Sequence, residues 1–132
     1  MSVSNELTLK VILDIYSGRP NPTWSLSRSP IKSLKKMLGK DYQELPRIRR
    51  RELPGLGYRG FIIINEDQLK GLPLALRVFD GTVTVRDFDA AEPSEVYAFK
   101  DRNRIEYWLL EQAAEQDLDE VIARFGGPSL HC

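Results

Sequence analysis

The sequence predicts a single α+β domain: a small mixed or antiparallel sheet of four or five strands, a short helix near 30–38, and C-terminal helices over 102–125 packed on one face. Three observations predict it. A period of two runs through residues 7–16, an Asp80-Gly81 pair joins two alternating runs, and apolar residues recur at helical spacing from Ile105 onward. A chain of 132 residues, 42% apolar, is long enough to close one core, which we place in 1–125, with 126–132 as a flexible tail.

Taken in order, Leu7, Leu9, Val11, Leu13 and Ile15 share one parity and Thr8, Lys10, Ile12, Asp14 and Tyr16 the other, so the first strand has one apolar face and one mixed face. The loop that follows, Ser17-Gly18-Arg19-Pro20-Asn21-Pro22-Thr23-Trp24, is stiffened by two prolines and turned by Gly18. Ser29 then reads as an N-cap with Pro30 at the first helical position, and Ile31, Leu34 and Leu38 form the buried stripe up to Gly39. Residues 40–54, with Pro46, Pro54 and the run Arg49, Arg50, Arg51, show no period and read as an exposed connection.

Residues 61–65 are apolar at both parities, which predicts a central strand covered on both faces. The hairpin over 74–88 has a definite register. A type I′ turn at Asp80-Gly81 sets Val78 against Val83, Leu76 against Val85 and Arg77 against Thr84. A short run at 96–99 adds a further strand, Asp101 caps a helix carrying Ile105, Trp108, Leu109 and Ala113, and Asp117 with Glu120 reads as a second capping box after a break near Gln116.

Formal charge is zero but uneven. Between residues 19 and 60 eleven bases face three acids, and between 87 and 124 eleven acids face four bases. We read these as two faces that complement each other within the fold; a neutral chain is a poor nucleic-acid partner through its long-range field. There is neither an apolar run near the ~20 residues that cross a bilayer nor a leader pattern, which predicts a soluble, cytoplasmic protein with no membrane partner.

Chemistry-bearing residues are few. The lone histidine and lone cysteine, His131 and Cys132, adjoin each other in the tail, so nucleophilic triads and a four-ligand zinc site are disfavoured, and no cofactor motif is present. Asp87 and Asp89 share a strand face but read as solvated. If the first strand and the 61–65 strand are antiparallel neighbours, Arg19, Asn21 and Trp24 come near Tyr58 and Arg59. Two guanidiniums there suit a carboxylate or phosphate, and the expectation is a binding module for an acidic group of a protein, peptide or small molecule. The competing structural reading is that Trp24 closes the core and that Arg19 and Arg59 pair with Asp14 or the acidic helix. Two other functions remain open: an acid–base enzyme using Tyr58 or Asp14, the phenol's pKa lowered by a neighbouring arginine, and a carrier whose tail is modified at Cys132 or binds metal with His131.

Overall fold

The computed structural model describes residues 7–87 and 96–129. Six strands form one antiparallel sheet: β1 (Leu9–Leu13), β2 (Thr23–Leu26), β3 (Phe61–Ile64), β4 (Ala75–Phe79), β5 (Thr82–Arg86) and β6 (Tyr97–Lys100). Their spatial order is β2-β1-β3-β4-β5-β6. Three helices join them: α1 (Arg28–Leu38), α2 (Ile105–Glu115) and α3 (Asp119–Arg124), with a short 3-10 turn at Tyr42–Glu44.

Alternation decides which face the helices take. Leu9, Val11, Leu13, Phe61, Ile63, Leu76, Val78, Val83 and Val85 point inward and are at most 3% exposed, forming one core with Leu34, Leu109 and Ile122 of the helices. On the outer face Ile12, Ile62 and Ile64 are only half-buried. Strand β3 is therefore central, between β1 and β4, but it is not covered on both faces as its composition suggested.

The hairpin β4–β5 takes the predicted register, with Leu76 opposite Val85, Arg77 opposite Thr84 and Val78 opposite Val83. Asp80 and Gly81 both have positive φ, 50° and 76°, as a type I′ turn demands. Strand β2 is an addition to the four or five strands expected. The prolines hid it: Pro22 lies just before the strand, where its carbonyl accepts a bond from the Leu13 amide and no amide hydrogen is needed.

Helix boundaries shift by a few residues. Helix α1 begins at Arg28 with Ser27 as its cap residue, so Pro30 lies inside the first turn, where a missing N–H costs nothing. Asp101 caps α2 from a distance: its two carboxylate oxygens accept the amides of Ile105 (2.8 Å) and Glu106 (3.0 Å), while Arg104 turns the chain with φ 57°. The break after α2 falls at Gln116. Asp117, however, adopts φ 60° instead of capping α3, whose cap residue is Leu118.

Helix α3 ends in a Schellman motif: the Gly127 amide bonds the Ile122 carbonyl (2.8 Å) and that of Gly126, at φ 87°, bonds Ala123. The glycine pair is thus folded back instead of extended. A Cβ on Gly127 would strike Ile122 and the Tyr58 ring, so this glycine belongs to the packed structure.

Candidate functional site

The two loops singled out in the sequence do meet, because β1 and β3 are antiparallel neighbours with Leu13 beside Phe61. What joins them is a buried carboxylate. Asp14 is 6% exposed; it accepts Arg59 Nη2 at 2.9 Å on Oδ1 and Arg77 Nη1 at 2.7 Å on Oδ2. Arg77 Nη1 also donates to the Arg59 carbonyl (2.9 Å), and the Arg59 amide returns a bond to the Asp14 carbonyl (2.8 Å). Two guanidiniums share one carboxylate, so the cluster carries an excess positive charge. Both arginine side chains are about one-quarter exposed.

Each residue of the predicted site has a definite place. Asn21 folds its own loop: its Oδ1 accepts the amides of Ile15 and Tyr16, and its Nδ2 reaches Asp14 at 3.5 Å. Arg19 lies over the Tyr16 ring, 3.8 Å from its centroid, with its side chain exposed. Trp24 is not displayed by the loop. It sits on β2 opposite Val11, hence on the helix-covered face, where its indole N–H donates to Gln112 of α2 and its ring meets Phe61 edge-on. Tyr58 meets the other side of this aromatic row through Phe61 and Phe79, and its hydroxyl donates to Glu106 at 2.5 Å. Asn21 and Arg59 therefore converge at Asp14, while Trp24 and Tyr58 flank Phe61 on the covered side.

Two glycines make this arrangement possible. At Gly57, φ 86°, a Cβ would come within 2.7 Å of the Phe125 carbonyl that the Tyr58 amide bonds; at Gly60, φ 88°, it would run into the Val78 carbonyl of the adjacent strand. Only glycine satisfies both the conformation and the approach.

Burial, and then the charge of Glu106, pushes the Tyr58 phenol up. This is the opposite of the lowering expected from an arginine neighbour; the arginine that adjoins it in sequence has turned to Asp14. Burial likewise raises the Glu106 carboxyl, against the bonds from Tyr58 and the Gly81 amide that lower it. Glu106, Tyr58, Asp80 and residues 126–128 line an open cleft of about 400 Å³.

A larger cleft, of about 510 Å³, lies on the outer face of the sheet and was not foreseen. One wall is the segment 49–53; the other is the outward row of the hairpin, Arg77, Phe79, Thr82 and Thr84. The segment reaches this position because Ile48 extends the sheet by one bridge to Ala98 at the β6 edge, its amide bonding the Ala98 carbonyl at 2.9 Å. The 3-10 turn before it is anchored too: Tyr42 and Gln43 donate to the Asp87 carboxylate, which also accepts Tyr97. Asp87 is therefore engaged instead of solvated, and Asp89 lies outside the described residues.

The cleft brings together Arg49, Arg50, Arg51 and Arg77, with Glu52 the one carboxylate in its lining. Arg51 reaches Asp80 at 3.5 Å in an exposed pair, and Arg77 is held by Asp14 through one nitrogen only. Among the described residues Arg49 and Arg50 have no ion pair. Nor does any ion pair join the basic stretch 19–60 to the acidic stretch 87–124 among those residues. Among the described residues the two charge blocks therefore make no direct ion pair with each other.

Among the described residues no group of three or more metal-ligating side chains occurs, and no helix is long and apolar enough to cross a membrane. His131 and Cys132 lie outside the described residues. Comparison with protein-family models, with curated proteins and with solved structures finds no match to this chain.

Proposed function

We propose that this protein is a binding module that recognises an acidic group, carboxylate or phosphate, of a protein, peptide or small molecule, and that the outer cleft receives it. The observation that carries the reading is the convergence of four arginines on one concavity beside Thr82 and Thr84. Guanidiniums bind oxyanions in a bidentate fork, and the hydroxyl of Thr84, which unlike Thr82 is partly exposed, supplies a further donor. Arg49 and Arg50 are the primary anion contacts. Arg77 contributes its remaining N–H groups, and the Asp14–Arg59 pair fixes its orientation. Arg59 thus acts by positioning Arg77, while Arg19 and Asn21 belong to the loop that shapes the rim of Asp14.

Isothermal titration with pyrophosphate and with citrate tests this directly. The double variant Arg49→Ala/Arg50→Ala is expected to lose at least about tenfold in affinity, which is about 1.4 kcal/mol, and Arg19→Ala to bind as the parent does. If Arg19→Ala loses affinity and the double variant does not, the 17–24 loop is the binding element. If the parent binds neither anion, the reading falls.

Glu106 favours one second reading. A carboxyl raised by burial at the mouth of a cleft is a suitable general acid, with Tyr58 orienting it. A hydrolytic activity abolished by Glu106→Gln but retained in Arg49→Ala/Arg50→Ala would establish it.

A further inference from the structure

We infer that the ligand is an acidic polypeptide segment in extended conformation, with apolar residues between its carboxylates, lying across the outer face of the sheet. This rests on the arginine cleft as the site and names what fills it. The registers place Thr23, Ile12, Ile62, Arg77, Thr84 and Ala98 in one cross-strand row, each beside the next. Arg77 stands where an apolar patch meets the basic cleft. On one side are Ile12 and Ile62, with Ile64 in the neighbouring row; on the other are Thr84 and the arginines of 49–53.

Three isoleucines on the outer face are half-buried, although the helices pack on the inner one. A small anion would use none of that apolar surface. The patch is bordered by Lys10, beside Ile64, and by Arg86, beside Ala75, so the basic character extends past the cleft. Charge complementarity therefore specifies an acidic occupant, and the isoleucines specify one with apolar side chains. From β1 to β5 the row spans three strand spacings, about 14 Å, which an extended segment of four or five residues covers at about 3.3 Å per residue. Nucleic acid is the poorer fit, since a neutral chain lacks the long-range field and, of the residues in this row and the cleft, Phe79 alone offers a ring on which a base would stack.

The test is fluorescence anisotropy on the full chain with two labelled hexapeptides, one alternating glutamate with leucine and one alternating glutamate with serine, and with pyrophosphate as competitor. The Glu-Leu peptide is expected to bind at least about tenfold tighter than the Glu-Ser peptide. Ile62→Thr and Ile12→Thr, which keep β-branched residues in the strands, are expected to erase that difference without weakening the Glu-Ser peptide. Circular dichroism confirms that each variant folds, and either one suffices. Equal affinity of the parent for both peptides overturns this inference but leaves the arginine cleft intact; failure of both peptides and of pyrophosphate removes the cleft itself. Tighter binding of a single-stranded oligonucleotide, or a concentration-dependent dimer lost in Ile62→Thr, overturns the inference in favour of that other occupant.

Discussion

Asp14→Asn is the substitution that most directly probes how the outer face is held. The carboxylate, 8% exposed at its side chain, accepts two charge-assisted bonds, of 2.9 Å from Arg59 and 2.7 Å from Arg77. Each such bond contributes about 1.5–3 kcal/mol. Asparagine keeps one acceptor oxygen and turns an amide N–H toward the other guanidinium, so one bond loses its anionic acceptor and the second is lost. Both arginines are about one-quarter exposed and regain water, so the ~3–5 kcal/mol of a fully buried broken pair is not reached. A loss of about 2–3 kcal/mol follows. In urea denaturation followed by tryptophan fluorescence, this appears as a midpoint lowered by roughly 1 M, for a slope near 2 kcal/mol per molar that does not change. A stability loss below about 0.5 kcal/mol would refute the reasoning, because it would put the cluster in the class of solvated surface pairs.

Two further outcomes are expected. Gly60→Ala, at φ 88° and against the Val78 carbonyl, should cost more than about 3 kcal/mol or prevent folding, whereas Gly81→Ala, at φ 76° but facing open space, should cost about 1–2 kcal/mol; equal losses in thermal melts would show that the strand contact at Gly60 decides nothing. Tyr42, Tyr58 and Tyr97 all have phenols raised above the ordinary 10.0 by burial, so their contribution to stability is present below pH 10 and is lost above it as the unfolded chain's phenols ionise. Denaturation midpoints should hold to about pH 9 and then fall, less steeply in Tyr58→Phe; a parallel fall in both proteins would exclude Tyr58 as a source.

The parts of the fold legible in the sequence are those fixed by local chemistry. Asp80-Gly81 dictates a turn, the turn dictates a register, and the register set Arg77 opposite Thr84 before any tertiary contact was considered. The stripe Ile31, Leu34, Leu38 and the slip of phase at Gln116 are equally local. Strand β2 escaped because four residues after two prolines carry too little pattern to separate a strand from a stiff loop. Trp24 therefore reads from sequence either as part of the binding loop or as a closure of the core, and its pairing with Val11 turns it inward. The outer cleft was not legible for a different reason. Arg49, Arg50 and Arg51 lie in a stretch without periodicity, and what brings them over the hairpin is a single bridge between Ile48 and Ala98, fifty residues on.

That bridge also changes the meaning of the charge asymmetry. Had the whole basic stretch folded beside the acidic helices, as α1 does beside α2, the two blocks would have shared one side of the sheet. Instead Ile48 pins the strap to the β6 edge on the outer side, and Asp14 draws Arg59 and Arg77 to the same side, away from α2 and α3. Glu111, Glu115, Asp119 and Glu120 remain on the helical side, together with Lys32, Lys35 and Lys36 of α1. The outer face of a molecule with no net charge thereby collects Arg49, Arg50, Arg51 and Arg77, by backbone topology and not by composition. On the proposed reading an acidic partner is held to this face by short-range attraction, which fades once the screening length falls to about 3 Å at 1 M salt.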